Sequence, residues 1–527
     1  MTPKTPSGEQ RRLIEEAAQS LAEFRDRRDE GKLNSEYASR LSLQAAENVI
    51  NLHRESDGYL RDAVTLLCEI TASENREIAR EGVLALFPAL VERLNDSFDP
   101  AACKLYDRIF AQVIDFDRRL PDAREFDQAL RDFGLMNETD LLTRKSRISN
   151  LQSPISNLQS PILKVLLLSR VTIGADVAVT SVMIAKLRNL LPQAEFVLLG
   201  SGKLRELFGG DPRVRIHEIK YDRGGGVLSR LTSWIDVIEA VNDEARGLKP
   251  DEFWLIDPDS RLTQLGLLPL LKDERNYFFF ESRSYRLGSA TRIGQLTSLW
   301  LDEIIGATGE ALPYVALPAK YQNFGQRICE KLRRAGASHL AAISLGVGGN
   351  PRKRISDEFE LELINRLIAD STLILDKGAS AEEREQINRV VATLRANGKT
   401  VVEINEQNFA GVISQKKIEA NAITWDGGIG AFAGLIAASD GYIGYDSAGQ
   451  HIAAALGAPT LTIFVNSGSA VFAERWRPYG SGLIEVLNVE AARMPGDANQ
   501  SVVDELMSRH KAARRKACET KPSASSF

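Results

Sequence analysis

Cysteine is scarce: Cys68, Cys103, Cys329 and Cys518 are the only four in 527 residues, far apart and with no Cys-x-x-Cys spacing. That distribution argues against a disulfide framework and against a zinc site. Long apolar runs are also missing, so no stretch is suited to crossing a bilayer. Met1 to Gln10 lacks the apolar core of a secretory signal, and the expectation is a protein made and kept in the cytoplasm, with at most peripheral membrane contact. Positive charge is not in excess: the net charge is -5, which gives no support to nucleic acid as a partner. What is present is ordinary for a soluble protein, 43% hydrophobic and 26% charged residues, in a chain long enough for two or three domains.

Residues 1–145 read as an all-helical domain. Leu13, Ala17, Leu21 and Phe24 recur at helical spacing, as do Leu60, Val64, Leu67 and Ile70, then Val83, Phe87, Leu90 and Leu94, then Tyr106, Ile109, Phe110 and Val113. Gly31, the cluster from Asn95 to Pro100, and Pro121 break the pattern. No chemistry is visible there, and His53 reads as a surface or core residue. The region is either a docking module for a protein or acceptor partner, or a structural appendage. Next comes Ile148-Ser-Asn-Leu-Gln-Ser-Pro154, repeated unchanged as Ile155 to Pro161. A polar heptad ending in proline does not continue a helix, so residues 146–161 are expected to be a linker.

From Ile162 the pattern alternates between strand and helix. Ile162 to Leu168, Ala194 to Leu199, Val214 to Ile219, Glu252 to Ile256 and Asn276 to Phe280 read as strands; a second series is Ala341 to Leu345, Ser371 to Leu375, Thr400 to Ile404, Gly441 to Ile443 and Thr460 to Phe464. Two such series imply an α/β protein with two parallel-sheet, Rossmann-like domains, 162–325 and 326–495, joined near Tyr314 to Phe324. Residues 496–527 read as a basic amphipathic helix with a disordered tail.

Chemistry concentrates at Asp446-Ser-Ala-Gly-Gln-His451, read as a turn between the Gly441 strand and a small-residue helix. A helix N-terminus has unpaired N–H groups and a partial positive charge, and small residues before it let a diphosphate approach. With Ala453-Ala-Ala-Leu-Gly-Ala-Pro459 following, this stretch resembles the Asp-Thr-Gly-x-x-His-x-Ala-Ala-Ala-x-Gly-x-Pro signature of glycosyltransferase family 9, the ADP-heptose:lipopolysaccharide heptosyltransferases, with Ser447 for Thr and Ala448 for Gly. Arg170-Val-Thr-Ile-Gly-Ala-Asp176, with Thr180 beyond, resembles the family's Arg-x-Ser-x-x-Gly-Asp-x-x-x-Thr segment, although Ala175 replaces a glycine. By that resemblance Asp176 is the catalytic base; read from the residues alone, it is equally a helix cap.

The resemblance spans roughly Leu163 to Gly480 and extends to Ser344-Leu-Gly-Val-Gly-Gly-Asn-Pro-Arg-Lys-Arg354. Lys353 then matches a phosphate-contacting lysine, and Gly348 and Gly349 stand where family members can carry hydroxyl residues. Glu382 falls at a ribose-binding carboxylate, and Ile429, in the loop after Trp425, lies where backbone meets an adenine-like base. Asp446, Ser447, Ala448 and His451 complete the donor set. Lys353, His451 and the helix N-terminus would offset charge on the leaving diphosphate, with no metal and no cofactor required. Arg170, Thr180, Asp257, Asp259 and Arg261 are acceptor-side candidates, because ligands of parallel sheets bind beyond the strands' carboxyl ends.

The resemblance thus implies a GT-B fold and inverting transfer of a sugar, heptose or related, from a nucleoside-diphosphate donor, for example ADP-linked, to a glycan or lipid-linked hydroxyl acceptor in envelope glycan synthesis. The rivals are a nucleotide-sugar epimerase on the same plan, which needs further acid/base groups, and a non-catalytic nucleotide-sugar-binding protein. A piece lacking residues 1–150 is expected to stay soluble and to bind nucleotide.

Overall fold

A computed structural model describes residues 7–520 except 57, 151–160, 222–223, 307, 467–468 and 491–497. The expected linker therefore lies largely outside the described residues, but its first five residues, 146–150, do not break the helix. The Glu138–Asn150 helix runs into the first heptad and buries Ile148.

The N-terminal region is helical throughout, and its ends are set by side-chain caps. Ser7 forms a reciprocal capping box with Gln10, while Asn34, Asn75 and Asp99 each accept from first-turn amides. The apolar stripes are buried as the spacing requires, including Phe24, Val64, Leu67, Ile70, Tyr106, Ile109 and Phe110. Val83 is the exception and stays half-exposed. A π-helical turn, Ala85–Val91, carries Pro88 and shifts the register, so that Leu86 and Phe87 face inward instead.

Beyond it lie two parallel sheets. The first has strands β1 (Lys164–Leu168), β2 (Glu195–Gly200), β3 (Val214–Glu218), β4 (Phe253–Asp257) and β5 (Tyr277–Phe279), in the order β3-β2-β1-β4-β5. The second has β6 (Leu340–Ser344), β7 (Thr372–Asp376), β8 (Val401–Asn405), β9 (Ala422–Asp426), β10 (Gly441–Tyr445), β11 (Thr460–Val465) and β12 (Ile484–Val489). Its order is β12-β11-β10-β6-β7-β9-β8. β9 and β12 are strands that the alternation does not flag; Trp425 and Asp426, at the start of the expected loop, are the last two residues of β9.

The described chain divides into two compact units. One comprises residues 1–171, 199–201 and 217–286; the other comprises 172–198, 202–216 and 287–527. In the second unit Ile343, Leu375, Ile443 and Ile463 form the centre of one core. The C-terminal helix, Ala498–Thr520, adds Val503, Leu506 and Met507 to that core.

The second sheet has its topological switch between β6 and β10, since the chain runs from β6 to β7 on one side and β10 lies on the other. Their register pairs Gly441 with Ala341 and Gly444 with Ser344, so both strands end side by side. The loops that follow, 345–353 and 446–447, flank the crevice where such sheets take ligands.

Candidate active site

The helix after β10 begins at Ala448, earlier than the turn pattern suggested, and runs Ala448–Ala455. Its N-cap is Ser447, in extended conformation, and the Ser447 side chain makes no capping hydrogen bond. The first-turn amides are thus not covered by their own cap, which is the arrangement that receives an anion. Asp446 is buried and turns its carboxylate away from those amides: Oδ1 accepts from Gln450 Nε2 at 2.6 Å and Oδ2 accepts from Lys353 Nζ at 2.5 Å. Lys353 is held beside the helix start, with its ammonium 5.3 Å from the centre of the Phe472 ring.

Gln450 is the hub that the sequence did not reveal. Its Oε1 accepts from Thr462 Oγ1 at 2.6 Å, which fixes the amide orientation and points its two N–H groups at Asp446 and at His451 Nε2, 3.3 Å away. A ring nitrogen that accepts there is unprotonated, and burial drives the His451 imidazole down to about 4, with Asp446 pulling up and Lys353 pushing down. His451 is neutral at pH 7. Of the pair Lys353 and His451, Lys353 is then the formal cation, and His451 can meet a diphosphate only as a neutral hydrogen-bonding group.

Asp176 enters the same unit from the segment after β1. The local helix starts at Ile173 with Thr172 as N-cap, and Asp176 N donates to Thr172 O at 2.9 Å. Asp176 therefore follows the first turn of the helix and is not its N-cap. It opens a π-helical turn, Asp176–Thr180, in which Thr180 Oγ1 donates to Asp176 Oδ1 at 3.0 Å; both residues are buried. Such turns recur at functional sites.

Gly174 shows why a residue without a side chain is needed two positions earlier. A Cβ there would lie 3.1 Å from Ala448 Cα and 3.4 Å from the His451 ring. The Asp176 turn thus abuts the start of the Ala448–Ala455 helix, and Gly174 supplies the close approach while Ala175 is buried beside it.

The remaining donor candidates are placed as follows. Gly348 and Gly349 are exposed and both have positive φ, +63° and +83°, which glycine adopts without strain. Glu382 is exposed in the first turn of the Ala381–Ala396 helix, its carboxyl held low by its own amide and by the Ser380 hydroxyl, as at any acidic helix start. Ile429 opens the Ile429–Ala438 helix; one residue on, Gly430 N donates to Glu206 Oε2 at 2.8 Å.

The acceptor-side candidates other than Thr180 belong to the other unit and are bound up in its own turns. Asp257 is fully buried and accepts from Ser260 N at 2.7 Å, from Tyr277 Oη at 2.7 Å and from Thr263 Oγ1 at 2.5 Å. Burial raises its carboxyl, and these three donors oppose the rise. Asp259, at a left-handed φ of +72°, pairs with Arg283 at 2.6 Å and Ser282 Oγ at 2.8 Å. Arg170 donates to Ser282 Oγ and to Pro258 O, at 2.7 and 2.6 Å. Arg261, half-buried, opens the Arg261–Thr263 turn. Asp257, Asp259 and Arg170 therefore hold the β4 and β5 loops in shape.

Among the described residues no group of three His, Cys, Asp or Glu side chains could hold a metal ion, and no helix is long and apolar enough to cross a membrane.

Compared with known proteins, residues 427–506 match the model of Glycosyltransferase family 9 (heptosyltransferase). No curated protein matches. Among solved structures, a family 9 glycosyl transferase from Veillonella parvula DSM 2008 is 14% identical with a TM-score of 0.47, covering 68% of this chain and 100% of its own. E. coli heptosyltransferase WaaC with ADP is 14% identical, TM-score 0.44, over 65% of this chain and 100% of its own. E. coli ADP-heptose lps heptosyltransferase II is 15% identical, TM-score 0.42, over 67% and 99%. The matched residues contain the Asp446–His451 turn and the Ala448–Ala455 helix.

Proposed function

We propose that this glycosyltransferase moves a sugar, heptose or a relative, from a nucleoside-diphosphate donor to a hydroxyl of a glycan or lipid-linked acceptor, with inversion at the anomeric carbon. The observation that carries the reading is the approach of Gly174 to Ala448: it sets a buried carboxylate, Asp176, beside an uncapped helix N-terminus flanked by a lysine. In this reading the diphosphate lies on the first-turn amides of the Ala448–Ala455 helix and draws Lys353 away from Asp446. As the sugar–phosphate bond breaks, Lys353 and the helix dipole stabilise the charge on the leaving group, in place of a bound cation. Asp176 takes the acceptor proton on the opposite face. Because its carboxylate is 1% exposed, acceptor entry has to open the Thr172–Asp176 turn.

Lys353→Ala tests the donor half. A charge-assisted contact contributes about 1.5–3 kcal/mol, so ADP affinity should fall roughly tenfold to a hundredfold, with adenosine affinity little changed. Calorimetry that shows equal ADP binding by the wild type and the variant removes the donor site from this loop. Transfer assayed in excess chelator should keep its rate.

A further inference from the structure

The loop that leads from β6 toward Lys353 is rich in glycine, and such loops commonly offer their amides to phosphate. Here two of those amides are already taken. Glu383, in the first turn of the Ala381–Ala396 helix, accepts through Oε1 from Val347 N at 3.0 Å and Gly348 N at 3.3 Å. Through Oε2 it accepts from Ala379 N at 2.9 Å and Ser380 N at 3.2 Å, while its own amide donates to Ser380 Oγ at 3.1 Å. One carboxylate therefore joins the loop after β6 to the loop after β7. The sequence makes room for it: a Cβ at Gly346 would sit 2.8 Å from one Glu383 oxygen, and a Cβ at Gly378, where φ is +74°, would sit 2.5 Å from the other.

We propose that Glu383 is a positioning residue for the donor: it fixes the loop at 346–348 by occupying the amides there, so that the chain reaches Lys353 in one place and the diphosphate is directed to the Ala448–Ala455 helix and not to the glycines. The proposal rests on the donor reading above. It assigns Gly346 and Gly378 the task of admitting a side chain, and it leaves Gly348 as a turn residue whose amide does not meet phosphate. Lys353 is then anchored at both ends of its segment, by Glu383 acting on residues 347–348 and by Asp446 acting on its own ammonium.

The experiment uses the full chain with Glu383→Gln and Glu383→Ala, and with Lys353→Ala as the control. Glutamine keeps one acceptor oxygen and turns an NH₂ toward amides that need an acceptor, so it releases one of the two loops. ADP affinity should drop about tenfold in Glu383→Gln and further in Glu383→Ala, with adenosine affinity unchanged. Amide exchange at 346–350 should speed up in both variants. A merely structural role would instead lower the melting temperature and weaken ADP and adenosine alike, and that pattern overturns the proposal. Unchanged or tighter ADP binding in the Glu383 variants, with Lys353→Ala still weakened, also overturns it and leaves the donor site standing. ADP binding that is indifferent to Lys353 as well brings down the donor reading and this inference with it.

Discussion

At the scale of single residues, burial decides what Asp176 and His451 can do. Asp176→Asn keeps the shape and the Thr180 contact but cannot take a proton at neutral pH. Since Asp176 is not the N-cap of its helix, the variant should fold normally, bind ADP as the wild type does, and lose transfer by at least about 10²-fold. Wild-type turnover of the variant on the true acceptor would remove the base role. His451 makes a different prediction, in stability. Its folded value, about 4, lies below the ordinary 6.5, so the unfolded chain binds the extra proton between those two values. Stability from this residue is complete above pH 6.5, and it is lost as pH falls toward 4, by about 3 kcal/mol in all. Asp376 is pushed the opposite way, up to about 6 by burial, and titrates in the same window. The His451 contribution is therefore read as the difference between the wild type and His451→Asn in urea unfolding at pH 4.5 and pH 7.5. That difference should shrink at the lower pH, and a constant one would contradict the burial argument.

At the scale of elements, the parts legible in the sequence are those fixed by local chemistry. Period-2 and period-3.6 patterns located ten of the twelve strands found among the described residues, and the helical stripes, because burial on one face leaves its mark on the residues of that face. β9 was missed because Trp425-Asp-Gly-Gly428 reads as a loop, and β12 because Ile484-Glu-Val-Leu-Asn-Val489 is an edge strand that is only partly buried. The turn at 446–448 and the lysine loop were visible as motifs. Ser380-x-x-Glu383 was visible too, as a capping box, but a capping box says nothing of the second loop that its glutamate reaches. Gln450 and Thr462 were not legible at all. Their bond joins residues twelve apart on different elements, and it exists only once β10 and β11 pair. The π-helical turn at Asp176–Thr180 carries no signal of its own, since its residues suit an ordinary helix equally well.

At the scale of the whole molecule, the helical region is the part whose role the sequence left most open. Within its unit it is packed against strand β5, the segment 265–267 after β4 and the Val227–Ala245 helix. Trp234, fully buried in that helix, meets Phe126 edge-on at 5.8 Å and Phe133 at 5.8 Å. Arg144, 6% exposed, donates to Glu274, itself 7% exposed, at 2.6 Å, and to Gly266 O at 2.7 Å. Lys145 lies 3.8 Å over the Phe279 ring. An Ile162 to Arg515 piece would bare Trp234 and Phe279, at roughly 1.5–3 kcal/mol each, and would lose the Arg144–Glu274 ion pair. The two exposures together approach the lower end of an ordinary domain's whole stability, about 5–15 kcal/mol. The expectation that the piece stays soluble alone is replaced by its opposite: it should aggregate or bind a hydrophobic dye, and co-expression with residues 1–161 should rescue it. A soluble, cooperatively melting Ile162 to Arg515 piece that binds ADP at full-chain affinity would show that these contacts are dispensable and return the helices to the status of an appendage.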